Sequence, residues 1–163
     1  MNKVIVTVIV IVIVLAGVWF FLRGSPETVP DLSFQDYNGQ TVRLSDFRGK
    51  YLLVNAWAAF CPFCREELKD FAAIQQEVGD QLVIVAVDRA EPPEKAKKYT
   101  DELGVTGKLV LLLDPEDSFY RAIGGFSMPE TIFVDKEGNV REHKRGPMQV
   151  DEIRGKVNKL LNY

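Results

Sequence analysis

The sequence contains only two cysteines and one histidine among 163 residues. Two thiols cannot staple a disulfide-built scaffold. With a lone imidazole they cannot close a four-ligand zinc site within one chain either. Basic residues are outnumbered, with 20 Lys and Arg against 23 Asp and Glu. Apart from Lys3 and Arg23, all of these charges lie from Gly24 onward, a balance of 18 against 23. Such a balance argues against nucleic acid as a partner, because a phosphate backbone needs a clustered basic surface. Internal repeats are missing, and so are low-complexity tracts beyond the first 23 residues. Apolar residues are plentiful at 47%, which excludes disorder. The length suits one domain of ordinary size.

Charge is absent altogether from the nineteen residues Val4 to Leu22. At about 1.5 Å per helical residue they reach roughly 28 Å, close to the hydrocarbon thickness of a bilayer. Val and Ile dominate the run, and Trp19, Phe20 and Phe21 stand at its downstream end, where an aromatic belt is expected. A cleaved signal peptide would have a shorter apolar region and a small-x-small cleavage site, and Leu22-Arg23-Gly24-Ser25-Pro26 is a poor one. The reading is therefore a single-pass anchor over 1–23, a linker over 24–30 (Pro26 and Pro30 mark it) and a folded domain over 31–163. Lys3 and the amino terminus favour a cytoplasmic start, which puts the domain outside the cytoplasm, where disulfides persist.

Within the domain, two residue periods alternate. Asp31–Asp36 and Thr41–Leu44 flank the Asn38-Gly39 hairpin turn. Ser45–Lys50 reads as a turn, and Tyr51–Trp57 as a strand buried on both faces. Pro62 opens an amphipathic helix ended by Gly79, and Gln81–Val87 is a second buried strand. A helix from Pro92-Pro93 runs to Leu103, and a third strand covers Lys108–Leu113. A short helix over Asp117–Ile123 precedes a hairpin of Thr131–Asp135 and Val140–Lys144, and a final helix covers Val150–Leu161. This order implies a mixed α/β sheet with helices on both faces.

Cys61-Pro62-Phe63-Cys64 lies where a buried strand ends and a helix begins. Unpaired N–H groups and the positive dipole end at such a terminus favour an anion. They can lower a thiol pKa to about 3.5–7.5. Cys61 is thus the candidate exchanging thiol, with Cys64 one turn behind to resolve the mixed disulfide. A purely structural bridge is poorly motivated, since so small a loop removes little chain entropy.

Val29-Pro-Asp-Leu, Asn38-Gly-Gln, Leu44-Ser-Asp-Phe-Arg-Gly-Lys, Leu53-Val-Asn-Ala-Trp-Ala, the Cys61–Cys64 motif and Met128-Pro-Glu-Thr-Ile-Phe-Val-Asp together resemble the thioredoxin superfamily. More narrowly, they resemble the membrane-anchored thiol–disulfide oxidoreductases of the TlpA/ResA/CcmG group. The resemblance spans about residues 29–161 and implies a thioredoxin fold with an added N-terminal β-hairpin. It further implies an extracytoplasmic place on a bacterial cytoplasmic membrane, no cofactor, and protein thiols and disulfides as substrates. Apocytochrome c cysteines kept reduced, and a membrane redox donor for recycling, are the partners this group suggests; a monomer is expected.

Met128-Pro129 matches the family's cis-proline, which faces the cysteine pair and helps hold the substrate chain, and Phe60, Pro62 and Phe63 flank the same place. A proline at the entry of the strand from Thr131 also fits by itself. Glu67, three residues after Cys64 on one helix face, matches an acid that ResA-like members carry. Buried, it would raise the resolving thiol's pKa and accept its proton; exposed, it is one more acid beside Glu66. Asn55 stands where thioredoxin has a buried Asp and cannot shuttle a proton. Trp57 matches an aromatic near the site, although a place in the core accounts for it equally.

Three departures leave the redox potential and the direction of electron flow open. Phe60 replaces the usual Trp, Pro62 sits directly after the first Cys, and Lys69 replaces the usual Pro. A peroxiredoxin is the nearest rival, but Ala58 occupies the position of its Thr or Ser. A Sco-like copper chaperone would need three residues between the cysteines and a suitable His, and His143 is expected to be structural or solvent-facing. Glu91–Lys98 reads as a solvated helix start.

Overall fold

The computed structural model describes residues 27–162, together with positions 9, 12 and 13. The expected anchor therefore lies outside the described residues. Among those described, no helix is long and apolar enough to cross a membrane.

Among the described residues, seven strands form one sheet. They are β1 (Ser33–Asp36), β2 (Thr41–Arg43), β3 (Tyr51–Trp57), β4 (Leu82–Arg89), β5 (Val110–Asp114), β6 (Glu130–Val134) and β7 (Val140–Arg145), in the spatial order β2-β1-β5-β4-β3-β6-β7. β3, β4 and β5 run parallel, as helical crossovers require, while β6, β7 and the β1–β2 hairpin pair antiparallel. The helices are α1 (Pro62–Val78), α2 (Pro93–Leu103), α3 (Ser118–Ala122) and α4 (Val150–Leu161). The segment read as a turn after β2 contains a 3-10 turn, Leu44–Phe47, whose Leu44 is buried.

Burial on both faces explains the near-continuous apolar run of β3. Leu53 and Trp57 point to the core shared with α1, α2 and α4, while Leu52, Val54 and Ala56 point to the one shared with β1 and α3. Asn55 follows the parity of Leu53 and Trp57, so it faces α1. Gly79, at φ +58°, ends α1 in the left-handed region and releases the chain toward β4.

Before β1, Val29 N–H donates to the Gly138 carbonyl at 3.0 Å, and Thr28 pairs with Asn139. The chain thus enters the domain beside the β6–β7 turn. The cysteine motif sits at the carboxyl end of β3, the edge at which open α/β sheets place ligands.

Candidate active site

Cys61 caps the N-terminus of α1 with extended backbone, and Pro62 takes the first helical position, where its missing N–H costs nothing. Cys61 and Cys64 are joined by a disulfide, with Cα atoms 5.4 Å apart. The Cys64 N–H lies 3.2 Å from Cys61 Sγ, so a backbone donor of the helix end addresses the first sulfur. The first turn of α1 carries no acid to oppose that field. Both cysteines are buried, whereas Phe60 and Phe63 are 66% and 61% exposed on either side of them.

Glu67 is 2% exposed, and its two oxygens have different partners. Oε1 accepts the Met148 N–H at 3.0 Å, and Oε2 accepts from Asn55 Nδ2 at 3.1 Å. Burial pushes its carboxyl up to about 8, against the opposing pull of those two donors. The solvated alternative for Glu67 is thereby excluded. Asn55 donates as well to Thr131 Oγ1 at 3.0 Å, tying β3, α1 and β6 together. Trp57 is fully buried in the cluster that contains both cysteines and stacks on Tyr99, with ring centroids 5.7 Å apart.

The Met128–Pro129 bond is cis. Met128 packs against the cluster that holds Cys61 and Cys64, Pro129 is buried, and the Pro129 carbonyl accepts the Gly146 N–H at 2.9 Å. The structure thus gathers the cysteine pair, Asn55, Trp57, Glu67 and Met128-Pro129 at one end of the sheet.

Three acids passed over in the sequence belong to the same neighbourhood. Glu130, fully buried, accepts the N–H groups of Phe126 and Ser127 at 2.8 and 2.7 Å through Oε1. Its Oε2 lies 2.7 Å from His143 Nε2. His143 is therefore neither solvent-facing nor turned to the cysteines; it braces the loop leading into Pro129. Asp88 and Glu91 are buried too, and Glu91 reaches the Ala59 N–H. The expectation of a solvated helix start fails at Glu91, because the chain bends at Ala90 and folds that side chain inward. For Asp88 and Glu130 the available signal was an acid directly abutting a mainly apolar run, Leu82–Val87 before Asp88 and Thr131–Val134 after Glu130.

The redoxin family model matches residues 24–161. The chain belongs to the redoxin family. Within it, the chain is 31% identical over 131 residues to the thiol-disulfide oxidoreductase ResA of Geobacillus thermodenitrificans, covering 78% of this chain and 73% of that one. It is 33% identical over 129 residues to the thiol:disulfide interchange protein DsbE of Allochromatium vinosum, covering 77% and 67%. Among solved structures, the pneumococcal exposed lipoprotein thioredoxin of Streptococcus pneumoniae strain TIGR4 superposes with a TM-score of 0.67 at 31% identity, over 80% of this chain and 100% of that one. The redoxin fold here is thioredoxin-like, and the activity is that of a thiol–disulfide oxidoreductase of the ResA/DsbE type, worked by the Cys61–Cys64 pair.

Proposed function

We propose that this oxidoreductase is a membrane-anchored, extracytoplasmic reductant of protein disulfides in which Cys61 attacks and Cys64 resolves. The Cys61 thiolate displaces one sulfur of a substrate disulfide, forming a mixed disulfide and releasing the other sulfur as a thiolate. Cys64 gives its proton to Glu67 in its ionised form, a minority near neutrality that grows as pH approaches 8, and attacks the Cys61 sulfur. The second substrate sulfur leaves, and two electrons have passed to the substrate. A dithiol donor restores the pair by the reverse exchange. With its pKa near 8, Glu67 is close to the unperturbed thiol value of about 8.5, so the proton moves between them at little cost.

One observation carries this reading: a redox pair caps a helix N-terminus while a buried carboxyl, Glu67, stands one turn further along the same helix. Protein substrates, rather than small disulfides alone, are supported by Phe60, Phe63 and Phe126, each more than half exposed on segments that border the pair or lead into Pro129. The apolar run Val4–Leu22 supports the anchor. The resemblance to the TlpA/ResA/CcmG group supports apocytochrome c as a substrate class.

The deciding experiment traps the substrate. A Cys64→Ser chain should accumulate a mixed disulfide at Cys61 with an oxidised Cys-x-x-Cys-His peptide, and Cys61→Ser should not. A midpoint potential near that of a disulfide-forming oxidant, about −120 mV, would overturn the reductant assignment. A membrane-impermeant maleimide that labelled the reduced pair only after cell lysis would overturn the extracytoplasmic placement.

A further inference from the structure

The segment Ala58–Cys61 is held from a second side by a buried acid, Glu91, backed by a second, Asp88, and the exchange steps leave both unused. Asp88, near the end of β4, is 1% exposed and in register beside Trp57. Two residues later Ala90 takes φ +53°, a region that side-chain-bearing residues enter only at a cost. The bend brings the Glu91 N–H to Asp88 Oδ2 at 3.2 Å. Glu91 is itself 7% exposed. Its Oε2 accepts the Ala59 N–H at 2.5 Å, and its Oε1 lies 2.5 Å from Lys95 Nζ. The Ala58 carbonyl in turn accepts the Cys61 N–H at 3.0 Å. Ala59 and Cys61 are two residues apart, so their Cα atoms lie within about 7 Å.

Two adjacent buried carboxyls cannot both ionise cheaply. Burial foremost, and then the neighbouring Glu91, hold the Asp88 carboxyl well above the usual carboxylate range. Asp88 therefore keeps its proton near neutrality, while Glu91 forms an ion pair with Lys95. From the hairpin, Tyr37 faces the same acids and Asp101, and burial pushes its hydroxyl up to about 12, so it stays neutral. Glu91 also lines an open cavity of about 380 Å³ with Ser33, Thr41, Asp114 and Glu116.

We propose that Glu91 is a positioning residue for Cys61: its carboxylate clamps the Ala59 amide, fixing the turn that delivers the sulfur to the helix end, and its charge restrains the thiolate formed there. Asp88 is the neutral backing that keeps Glu91 in place. The assignment rests on Cys61 being the attacking sulfur.

Two variants separate clamp from charge. Glu91→Gln keeps an oxygen for the Ala59 amide and loses the charge. In a reduced full-length Cys64→Ser background, the midpoint pH of Cys61 alkylation by iodoacetamide is expected to fall by about half a unit, making alkylation at low pH roughly threefold faster. Glu91→Ala loses both. In the two-cysteine chain, its exchange with insulin is expected to slow roughly tenfold or more. An unmoved alkylation midpoint in Glu91→Gln overturns the proposal, including the case in which only thermal stability falls. So does an Ala variant that exchanges at the parent rate. If the Ala variant fails to fold, the Gln variant alone decides. A parent chain that alkylates normally but never reduces insulin would count against the reductant function instead, leaving the midpoint test intact.

Discussion

Asn55 Nδ2 donates to Glu67 Oε2 at 3.1 Å, while Asn55 Oδ1, buried as well, has no hydrogen-bond partner among the described residues. The amide nitrogen carries two hydrogens yet faces three acceptors, the others being Thr131 Oγ1 at 3.0 Å and the Glu130 carbonyl at 3.4 Å. This orientation serves an ionised Glu67. A protonated Glu67 has a hydroxyl to donate, and a half-turn of the amide would present Oδ1 to receive it. Asn55 cannot take up a proton itself, but it can favour either state of the group that does.

The first prediction concerns pH. Glu67 holds its proton up to about pH 8 in the folded chain, whereas unfolding returns it to the ordinary 4.5. Between those values the unfolded state releases a proton that the native state retains. The stability it contributes is complete below pH 4.5 and is lost as pH rises through 8, with a slope of at most about 1.4 kcal/mol per unit. Asp88 adds a contribution of the same sign. Glu67→Gln should therefore make the urea midpoint of the oxidised chain decline less steeply with pH than the parent's. Parallel declines would refute the assignment.

Glu130 offers a test of the loop before Pro129. Replacing it with Ala strands the Phe126 and Ser127 amides and leaves His143 without its carboxylate. Removing one partner from a buried charged network costs roughly 3–5 kcal/mol, to be read from denaturant midpoints. Glu130→Gln, which still offers one acceptor oxygen, should recover part of that loss. A fully destabilised Gln variant would place the weight on the His143 contact instead.

Trp57 has no partner for its indole N–H among the described residues, so its value lies in packing. Trp57→Ala should cost about 3–5 kcal/mol, as for a large aromatic in a core. Trp57→Phe should cost clearly less, because it keeps a ring to stack on Tyr99 and forfeits no hydrogen bond. Equal losses in the two variants would show that the indole makes a polar contact of its own.

Phe126 is 78% exposed, and the Arg145 guanidinium lies 5.2 Å from its ring centre. Phe126→Ser should leave stability within about 0.5 kcal/mol of the parent. If the exposed aromatics receive protein substrates, the variant should raise KM for insulin while leaving exchange with glutathione disulfide unchanged. Equal slowing with both would mean that Phe126 supports the site rather than the substrate.

The amino-acid order by itself determined the local elements and the chemistry at their junction. Period-two and near-continuous apolar runs marked the strands, and Pro62, Gly79 and Gly104 marked helix ends, because such signals act within a turn or two of the chain. The same local logic put Cys61 at a helix N-terminus. Tertiary structure alone decided what surrounds it. Glu67 meets the Met148 amide 81 residues away, His143 meets Glu130 across the β6–β7 hairpin, and Glu91 reaches back 32 residues to Ala59. Those meetings follow from strand order, pairing register and one backbone bend at Ala90, which bring distant carboxyls into a dry interior. Whether an acid is solvated or buried is a property of that assembly, and its proton affinity follows from burial, so no window of neighbouring residues could have supplied it.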